Sequence, residues 1–496
     1  MEDLRAVRNQ IHKVIKKDDR SLRNRLQSIL LDNDFLCNTV LPRFPNFPVV
    51  PNERCGLWYC DPKQYDQTSY FKSTDGHVNQ WDFSVRRLNF HLLPTIANSS
   101  GIIIVDSTRR GKKIPDALSK TVPIWCAVLN SIAMQHRDDS GEREVLYLPP
   151  TSVSESERHS IRMRLPSLVK KLNEFDIIDG RKLHEQLGGR LLRPFWVYPG
   201  SSMLEPITDV FTGEVLQKTW DCEDANIIPI ILCTVSYCAQ DGIDKRFGFT
   251  YVQGAADDHE LWSQGLTAQL FWSDVDYFRD SNRSEEEIES RVAQLVLKNG
   301  CVSNDISVDY AFPQIDSVTP ELSLGKVRDN LEITDNLIAQ LRESYSEVII
   351  LSRSVKISAH KPLNDELSKF IKLYELQSGS KASSRELRNQ LLIIAPPLQA
   401  KLLQKPRKPI LISCNSGTDI SVGLLLIILS LNYGLNWKLG SPALVSKTTV
   451  KKHLAKIISH LQGRNVNPSR ATLNSVNHYL LWSKSLMNSS NESLIV

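Results

Sequence analysis

One short loop near the C terminus restricts the fold of this chain more than any other feature. Residues 414–421 read Cys-Asn-Ser-Gly-Thr-Asp-Ile-Ser, between apolar stretches that predict a buried strand at 409–413 and a buried helix at 422–431. A strand, a loop of small residues and a helix N terminus direct backbone N–H groups at one point, and this arrangement binds anions. The pattern predicts an α/β domain with a phosphate site. The residues expected to line this site are Cys414, Asn415, Ser416, Gly417, Thr418, Asp419 and Ser421.

The same loop resembles the phosphate loop of protein tyrosine and dual-specificity phosphatases, in which Cys is first, Gly fourth, Arg seventh and Ser eighth. Cys414, Gly417 and Ser421 match this order, but Ile420 stands at the position of the arginine. A phosphatase needs that guanidinium to grip the phosphoryl group and to stabilise its transition state. We therefore expect the loop to hold a phosphate without hydrolysing it. An ordinary strand-to-helix turn is the alternative interpretation.

Basic residues are concentrated in the C-terminal fifth of the chain. The whole sequence has 496 residues, enough for two or three domains, and a formal net charge of only +4. Between residues 387 and 491, however, thirteen lysines and arginines accompany a single acidic residue, Asp419. This asymmetry indicates a polyanionic partner, most simply RNA or DNA, and a solvated basic surface is the alternative. The candidate contacts to nucleic acid are Lys447, Lys451, Lys452 and Lys456.

The cysteines and the apolar runs bear on the compartment of the protein. Nine scattered cysteines, an odd number, favour a reduced cytosolic or nuclear protein over a disulfide scaffold. The longest apolar run, around 424–431, is too short to span a bilayer, and the first residues have no signal-peptide core. Cysteines 55 and 60 have the same spacing as 233 and 238, but the strand-like run around the second pair argues against a shared zinc site. We expect a cytoplasmic protein without a membrane segment.

Two polar blocks in the N-terminal half have the composition of phosphate-binding segments. The first spans 71–77, and the second, 105–112, directly follows an apolar stretch that predicts a strand. Hydroxyl, guanidinium and ammonium groups at a strand end are natural phosphate contacts, although the glycine spacing is not that of a Walker loop. The candidate substrate- and phosphate-binding residues of these blocks are Asp75, His77, Ser107, Thr108, Arg109, Arg110 and Lys112.

A third block, 251–262, places three carboxylates and a histidine in four consecutive positions. Carboxylate oxygens suit Mg²⁺, so Asp257 and Asp258 are candidate metal ligands. Carboxylates and histidine can also accept a proton near neutral pH. The candidate catalytic residues are therefore Asp257, Asp258, His259 and Glu260. Acidic residues in the first turn of a helix are the alternative explanation of this block.

Taken in order, these segments resemble the initiator tRNA phosphoribosyl-transferases of fungi and plants, over nearly the whole chain. The resemblance implies transfer of a ribose phosphate from phosphoribosyl pyrophosphate to the 2′-hydroxyl of a T-stem purine in initiator tRNA, which excludes that tRNA from elongation. It also implies a C-terminal domain similar to dual-specificity phosphatases. The matching strings are residues 73–77, 106–112, 115–126, 253–263, 265–267 and 414–421.

The resemblance also assigns chemistry to the polar blocks. Carboxylates and Mg²⁺ can stabilise an oxocarbenium-like sugar and the departing pyrophosphate, and a base within 257–260 must activate the tRNA hydroxyl. Arg109, Arg110 and Lys112 can hold pyrophosphate oxygens. Most phosphoribosyltransferases instead place two acids at the end of an apolar strand, before Thr or Gly. The acids of this chain follow Gly-Ala-Ala and precede His-Glu, so we do not expect its donor site to copy theirs.

The expected fold class of the chain as a whole is α/β. The expected architecture comprises an α+β catalytic domain at 1–315, a polar linker at 316–345, and a basic, dual-specificity-phosphatase-like domain at 346–496. Two other functions are compatible with the sequence: a catalytically inactive, phosphatase-like tRNA-binding protein, and a protein or RNA phosphatase that uses Cys414. The sequence indicates no protein partner.

Overall fold

The structure is a computed structural model, and its described residues form two compact units. The first unit extends to residue 298, apart from two short segments, 85–91 and 175–177, that group with the second. The second unit contains the described residues from 307 onward. The structure describes residues 19–53, 55–135, 144–222, 224–298, 307–357, 370–377, 381–404, 406–461 and 464–492.

A four-stranded parallel sheet forms the centre of the first unit. In chain order, the strands of this unit are β1 (Val49–Pro51), β2 (Ile102–Asp106), β3 (Leu191–Val197), β4 (Ile207–Thr208), β5 (Val215–Gln217), β6 (Ile227–Thr234), β7 (Ile243–Arg246) and β8 (Phe249–Val252). The sheet has the order β1-β2-β6-β3, and all its neighbouring strands are parallel. β2 and β6 are apolar along almost their whole length, as expected of strands that a parallel sheet buries on both faces. The remaining strands pair as two antiparallel hairpins, β4–β5 and β7–β8.

Ten helices of the first unit can be described. They are α1 (Leu22–Phe35), α2 (Leu41–Arg43), α3 (Gly56–Tyr59), α4 (Leu92–Ser99), α5 (Val122–Met134), α6 (Glu155–Asn173), α7 (Gly180–Gln186), α8 (Ala268–Ser273), α9 (Val275–Arg279) and α10 (Glu285–Lys298). The helical segment Ala117–Met134 is long and apolar enough to cross a membrane, but 89% of it is buried inside the unit, as in a core helix. Single turns of other helix types lie at Ser73–Gly76 and His259–Leu261, within two of the polar blocks.

The second unit contains a five-stranded sheet of order β14-β12-β15-β10-β9, parallel except for β9. Its strands are β9 (Gln314–Thr319), β10 (Leu322–Lys326), β11 (Glu332–Ile333), β12 (Glu347–Leu351), β13 (Lys356–Ile357), β14 (Ile371–Tyr374) and β15 (Ile410–Cys414). The helices are α11 (Val308–Ala311), α12 (Asp335–Ser344), α13 (Lys381–Leu403), α14 (Ile420–Asn432), α15 (Lys447–His460) and α16 (Arg470–Glu492). β15 and α14 confirm the strand and the helix predicted on either side of residues 414–421.

The range 316–345, predicted to be a linker, is instead part of the second unit. It begins inside β9 and contains β10, β11 and α12. β10 pairs in parallel with β15, and its residues Leu322 and Leu324 are fully buried. Some of the polar residues that suggested a linker lie in β9, an edge strand, where only part of the side chains need be apolar, and others lie in the loop at 328–330 and at the start of α12. The second unit therefore begins before residue 316.

Candidate active site

A cleft of about 450 Å³ opens where β1 and β2 end in the first unit. Ligands of open parallel sheets bind beyond the carboxyl ends of the strands, and this cleft lies at such a position. It brings together residues from all three N-terminal polar blocks, which are far apart in sequence. The predicted site residues in its walls are His77, Ser107, Thr108, Arg109, Arg110, Lys112, Asp257 and Asp258.

The two adjacent carboxylates meet a guanidinium inside the cleft. Nη1 of Arg109 lies 2.9 Å from Oδ2 of Asp257 and 3.0 Å from Oδ2 of Asp258. The backbone holds these acids in place: the Asp258 N–H donates to Oδ1 of Asp257 at 3.1 Å, and Nε1 of Trp262 donates to the Asp257 carbonyl at 3.1 Å. Asp258 itself has a left-handed backbone, with φ of 50°. Arg109, predicted to hold pyrophosphate, is thus bound to the predicted metal ligands in this structure.

Gln253 joins the loop of residues 107–112 to the segment that carries residues 257–260, the acidic block. Its Oε1 accepts hydrogen bonds from the N–H groups of Gly111 at 2.8 Å and Ala239 at 3.1 Å, and its Nε2 donates to the Lys112 carbonyl at 2.8 Å. The side chain is buried, so loss of these bonds would leave polar groups without partners in the interior. Gln253 was not predicted as a site residue, because a glutamine in a polar block carries no distinctive signal.

Gly254 lets the same two segments approach each other closely. Its φ is +66°, and a Cβ at this position would lie only 2.8 Å from the carbonyl oxygen of Thr108. Only glycine meets both conditions without strain. Thr108 is fixed from its other side, since its N–H donates to Oγ of Ser236, just after β6, at 3.0 Å. The register of the loop against the acidic block therefore depends on this glycine.

Asn52, directly after β1, joins the first polar block to the end of β2. Its Nδ2 donates to Oδ2 of Asp106 at 2.8 Å and to the carbonyl of Phe71 at 2.9 Å, and its Oδ1 accepts from the Phe71 N–H at 2.8 Å. Oδ1 of Asp106 accepts from the N–H of Ser107 at 2.8 Å. Asn52 and Asp106 line the cleft, but neither was predicted as a site residue. The position of Asp106 at the end of an apolar strand was the available signal.

His77 lies near an acidic residue, Asp116, that was not predicted as part of the site. Nε2 of His77 is 3.6 Å from Oδ2 of Asp116, and Nζ of Lys112 is 3.5 Å from the same oxygen. Both Asp116 and His77 line the cleft. The side of the cleft that the first polar block forms therefore contains the ammonium group of Lys112 and the carboxylate of Asp116.

Three predicted site residues lie outside the walls of the cleft. Asp75 belongs to the turn Ser73–Gly76, which precedes His77. His259 packs with its ring centroid 5.7 Å from that of Trp58, and the Glu260 side chain is 62% exposed. Of the four candidate catalytic residues, the geometry therefore favours Asp257 and Asp258.

Buried tyrosines support the acidic block from the core. The Tyr251 hydroxyl donates to Oδ1 of Asp32 at 2.9 Å and accepts from the N–H of Tyr237 at 2.9 Å. Burial raises the pKa of the fully buried Asp32 carboxyl well above its ordinary value. The Tyr59 hydroxyl accepts from the N–H of Ala256 at 3.2 Å, and burial raises the pKa of this phenol well above its ordinary value. The Tyr59 hydroxyl therefore remains neutral and fixes the backbone just before Asp257, whereas the Tyr251 hydroxyl joins Asp32 to the backbone of Tyr237.

No group of three or more His, Cys, Asp or Glu side chains is arranged to hold a metal ion within the described part of the chain. Cys60 and Cys233, one from each of the equally spaced pairs, are completely buried. Burial raises the pKa of both thiols, which opposes the thiolate form that zinc requires.

In the second unit, the loop after β15 is closed by its own hydrogen bonds. Sγ of Cys414 lies 3.0 Å from Oγ of Ser421 and 3.5 Å from Oγ of Ser416. The N–H of Gly417 donates to the Cys414 carbonyl at 3.0 Å, and that of Thr418 donates to Oγ of Ser416 at 3.2 Å. A bound phosphate would have to compete with these bonds for two of the loop amides. The strand, loop and helix are as predicted, but phosphate binding by this loop stays a prediction.

Arg464 does not replace the missing phosphatase arginine. This buried guanidinium donates to the Gly417 carbonyl at 2.7 Å and to Oδ2 of Asp316 at 2.6 Å, and two further backbone carbonyls accept from its Nη2. Ile420, at the arginine position, is the first residue of α14 and is 3% exposed. The guanidinium of Arg464 therefore stabilises the loop by hydrogen bonds to other protein groups.

Two polar residues of this loop have structural partners. Oδ1 of Asp419 accepts from the N–H of Ser469 at 2.8 Å and from Oγ1 of Thr472 at 2.6 Å, at the start of α16. A carboxylate in this position stabilises a helix N terminus. Nδ2 of Asn415 donates to Oγ of Ser354 at 3.0 Å. The contact of Asp419 with helix α16 was not predicted from the sequence.

The predicted nucleic-acid lysines on α15 differ in their surroundings. Lys447 and Lys451 are exposed and Lys452 is half-buried. Lys456, however, donates to the Leu435 carbonyl at 3.0 Å, and its Nζ lies 4.9 Å from the ring centroid of Trp437. Burial lowers the pKa of this ammonium group. Lys456 therefore packs against the unit, whereas the other three remain available to a polyanion.

Comparison with known proteins identifies the class to which this fold and site belong. Residues 15–297 match the Rit1 N-terminal domain, and residues 371–480 match the Rit1 DUSP-like domain. The chain belongs to the Rit1 family, as the resemblance of its motifs predicted.

Two relatives are similar over almost their full length. The chain is 54% identical over 492 residues to the tRNA A64-2′-O-ribosylphosphate transferase of Saccharomyces cerevisiae, covering 97% of this chain and 96% of that protein. It is 33% identical over 480 residues to an uncharacterized protein of Schizosaccharomyces pombe, covering 93% of this chain and 94% of that protein. No solved structure matches the chain.

Proposed function

We propose that this protein transfers a 5-phosphoribosyl group from phosphoribosyl pyrophosphate to the 2′-hydroxyl of a T-stem purine in cytoplasmic initiator tRNA, and so excludes that tRNA from elongation. The observation that carries the proposal is the cleft in which Arg109, Asp257 and Asp258 meet, in a chain 54% identical to a tRNA A64-2′-O-ribosylphosphate transferase. A cytoplasmic location follows from this substrate and from the reduced cysteines expected of the sequence.

The reaction breaks the bond between C1 of the ribose and the pyrophosphate oxygen, and it forms a bond from C1 to the tRNA 2′-oxygen. Positive charge develops on the sugar, and the carboxylates of Asp257 and Asp258 are placed to stabilise it. One of these carboxylates accepts the proton of the 2′-hydroxyl. Basic groups of the loop 109–112 hold the departing pyrophosphate, whose negative charge increases as the bond breaks.

The acidic pair fits a bound Mg²⁺ ion. Mg²⁺ usually binds one or two carboxylates together with substrate phosphates, so two carboxylates beside basic residues in a cleft are a suitable set. Asp257 and Asp258 would hold the ion, which would neutralise the pyrophosphate charge when bound. Their present partner is itself a cation, the guanidinium of Arg109, and this supports the assignment.

The exposed lysines of α15 are proposed to contact the tRNA backbone. Double-helical RNA is recognised mainly through its shape, its phosphates and its 2′-hydroxyls, which suits a basic helix surface. In this proposal the phosphatase-like second unit is a scaffold that presents the basic surface. Cys414 then has a structural role in its loop.

Charge reversal of Lys447, Lys451 and Lys452 together to Glu should weaken tRNA binding and flatten its salt dependence. The slope of log affinity against log salt should fall by about 0.9 for each phosphate that is no longer neutralised. Lys456→Met is the matched control. The ammonium group of Lys456 already contacts the Leu435 carbonyl and Trp437, and methionine can keep the packing against Trp437 while it removes the charge. Binding measured from about 50 to 200 mM salt distinguishes them. An unchanged slope in the triple variant would show that these lysines only solvate the helix.

Cys414→Ser should retain most of the transfer activity. The serine hydroxyl can still bond to Ser416 and Ser421, and the proposed chemistry takes place in the other unit. Initial rates of transfer and tRNA binding would be compared with the wild type. Complete loss of transfer with tRNA binding intact would instead mean that the sulfur forms a covalent intermediate.

The proposed function is tested by incubating the purified protein with Mg²⁺, phosphoribosyl pyrophosphate and either initiator or elongator tRNA, followed by RNA mass measurement. We expect the initiator tRNA alone to gain one ribose phosphate. Tight tRNA binding with no change in mass would support the inactive, phosphatase-like binding protein. Hydrolysis of a generic aryl phosphate, abolished in Cys414→Ser, would support the phosphatase.

A further inference from the structure

Arg109 joins two carboxylates through one atom. Its Nη1 lies 2.9 Å from Oδ2 of Asp257 and 3.0 Å from Oδ2 of Asp258, so a single cationic nitrogen takes one oxygen from each acid. These are two of the four oxygens that a divalent cation shared by the acids could use. Two adjacent carboxylates repel each other unless a positive charge lies between them, and here the guanidinium supplies that charge.

Asp257 is held by more contacts than the Arg109 side chain, and it is less exposed, at 30% against 49%. Oδ1 of Asp257 accepts from the backbone of Asp258, and the Asp257 carbonyl accepts from Trp262. Arg109 reaches them from the loop that Gln253 fixes at its far end, and 49% of its side chain is exposed. Because exposed ion pairs are weak, the guanidinium can leave at little cost while these contacts keep Asp257 in place.

We propose that Arg109 is the resident counter-ion of the Asp257–Asp258 pair in the free protein, and that the cation displaces it more readily when the pyrophosphate end of the donor binds at the same time. This inference rests on the proposed function. A guanidinium prefers the bidentate contacts that a pyrophosphate offers, so the donor draws Arg109 away from the acids as the cation takes its place. Arg109 is then a substrate-binding residue that makes the binding of donor and cation cooperative.

The proposal predicts opposite effects of one substitution on two ligands. Arg109→Gln in the full-length protein should bind Mn²⁺, without donor or tRNA, about three- to tenfold more tightly than the wild type, because the competing cation is gone. The same variant should bind the Mg²⁺–pyrophosphate complex more weakly, because glutamine cannot replace the guanidinium on the pyrophosphate oxygens. Mn²⁺ binding is measured by the electron paramagnetic resonance of the free ion, and pyrophosphate binding by calorimetry at saturating Mg²⁺.

Two further variants make this test specific. Lys112→Gln removes one positive charge from the same loop, but that charge faces Asp116, so the affinity for Mn²⁺ alone should change much less. Addition of Asp258→Asn to Arg109→Gln should abolish the gain in Mn²⁺ affinity. Unchanged or weaker Mn²⁺ binding in Arg109→Gln, or equal gains in Arg109→Gln and Lys112→Gln, would overturn the proposal.

The outcome is separable from that of the proposed function, which the wild-type transfer assay decides. Transfer by the wild type with no gain of Mn²⁺ affinity in Arg109→Gln would overturn only the inference about Arg109. A gain of Mn²⁺ affinity in a protein that never alters tRNA mass would support the counter-ion role and would reject the transferase.

Discussion

Replacement of Asp257 or Asp258 by Asn should lower the rate of phosphoribosyl transfer by at least ~10²-fold, the reduction typical of a missing acid–base or metal-binding group. Asparagine keeps the size of the side chain, so the fold should be retained. Both acids line the cleft and are only partly exposed, which is the setting in which a carboxylate can act on a bound sugar. Single-turnover rates at saturating donor and tRNA would measure the effect.

Glu260→Gln provides a matched comparison for these variants. Glu260 is two residues further along the chain than Asp258, but its side chain is 62% exposed and does not line the cleft. Its removal should cost far less than that of either aspartate. Near-normal turnover in both Asp257→Asn and Asp258→Asn, or an equal reduction in Glu260→Gln, would reject the assignment of the acids.

Gly254→Ala should reduce transfer by a similar factor, about 10²-fold, although the residue has no side chain to take part in the chemistry. The new Cβ would lie 2.8 Å from the Thr108 carbonyl oxygen, so the loop 107–112 and the acidic block must move apart. A displacement of about 1 Å between reacting groups costs about 10²-fold in rate. The effect should appear in kcat and in the KM for the donor, since the loop and the acids both face the cleft.

Gly213→Ala separates this effect from simple backbone strain. Gly213 also has a positive φ, 72°, but a Cβ at that position meets nothing within 4 Å. Both variants therefore carry the strain of a left-handed alanine, and only Gly254→Ala carries the clash. We expect Gly213→Ala to transfer at close to the wild-type rate, with a modestly lowered Tm. Equal transfer rates for the two variants would show that the close contact between the loop 107–112 and the acidic block is not needed for catalysis.

The strands and helices that consist of one continuous apolar run could be predicted from the sequence around them. The apolar runs around residues 414–421 correctly predicted β15 and α14, because buried strands and helices in α/β units are continuously apolar. The start of α6 also depends on local sequence: Oγ of Ser154, the residue before the helix, accepts from the N–H of Glu157 at 3.2 Å. The prediction of a linker at 316–345 was wrong because β9 and β10 mix polar and apolar residues. β10 becomes a buried strand by pairing with β15, far along the chain, and β9 pairs with β10 at the edge of the sheet.

Eight of the twenty residues that line the cleft were predicted as site residues, but their partners were not. The family resemblance assigned the polar blocks to one reaction, and members of all three blocks do meet in the cleft. The ion pair from Arg109 to Asp258 joins residues 149 positions apart, and the bond from Asn52 to Asp106 joins residues 54 apart. Composition and spacing within one segment contain no information about such contacts. For this reason the sequence assigned Asp419 and Lys456 to ligand binding. In the fold, Asp419 bonds to Thr472 in α16, and Lys456 packs beside Trp437.

The most direct test of the central claim is the position of the modification on the tRNA. Initiator tRNA would be incubated with the protein, Mg²⁺ and phosphoribosyl pyrophosphate, and then partially hydrolysed by alkali, which cleaves only where the 2′-hydroxyl is free. The proposed reaction predicts one missing band, at a T-stem purine, that depends on both the donor and Asp258. A complete ladder from a tRNA of unchanged mass would contradict it.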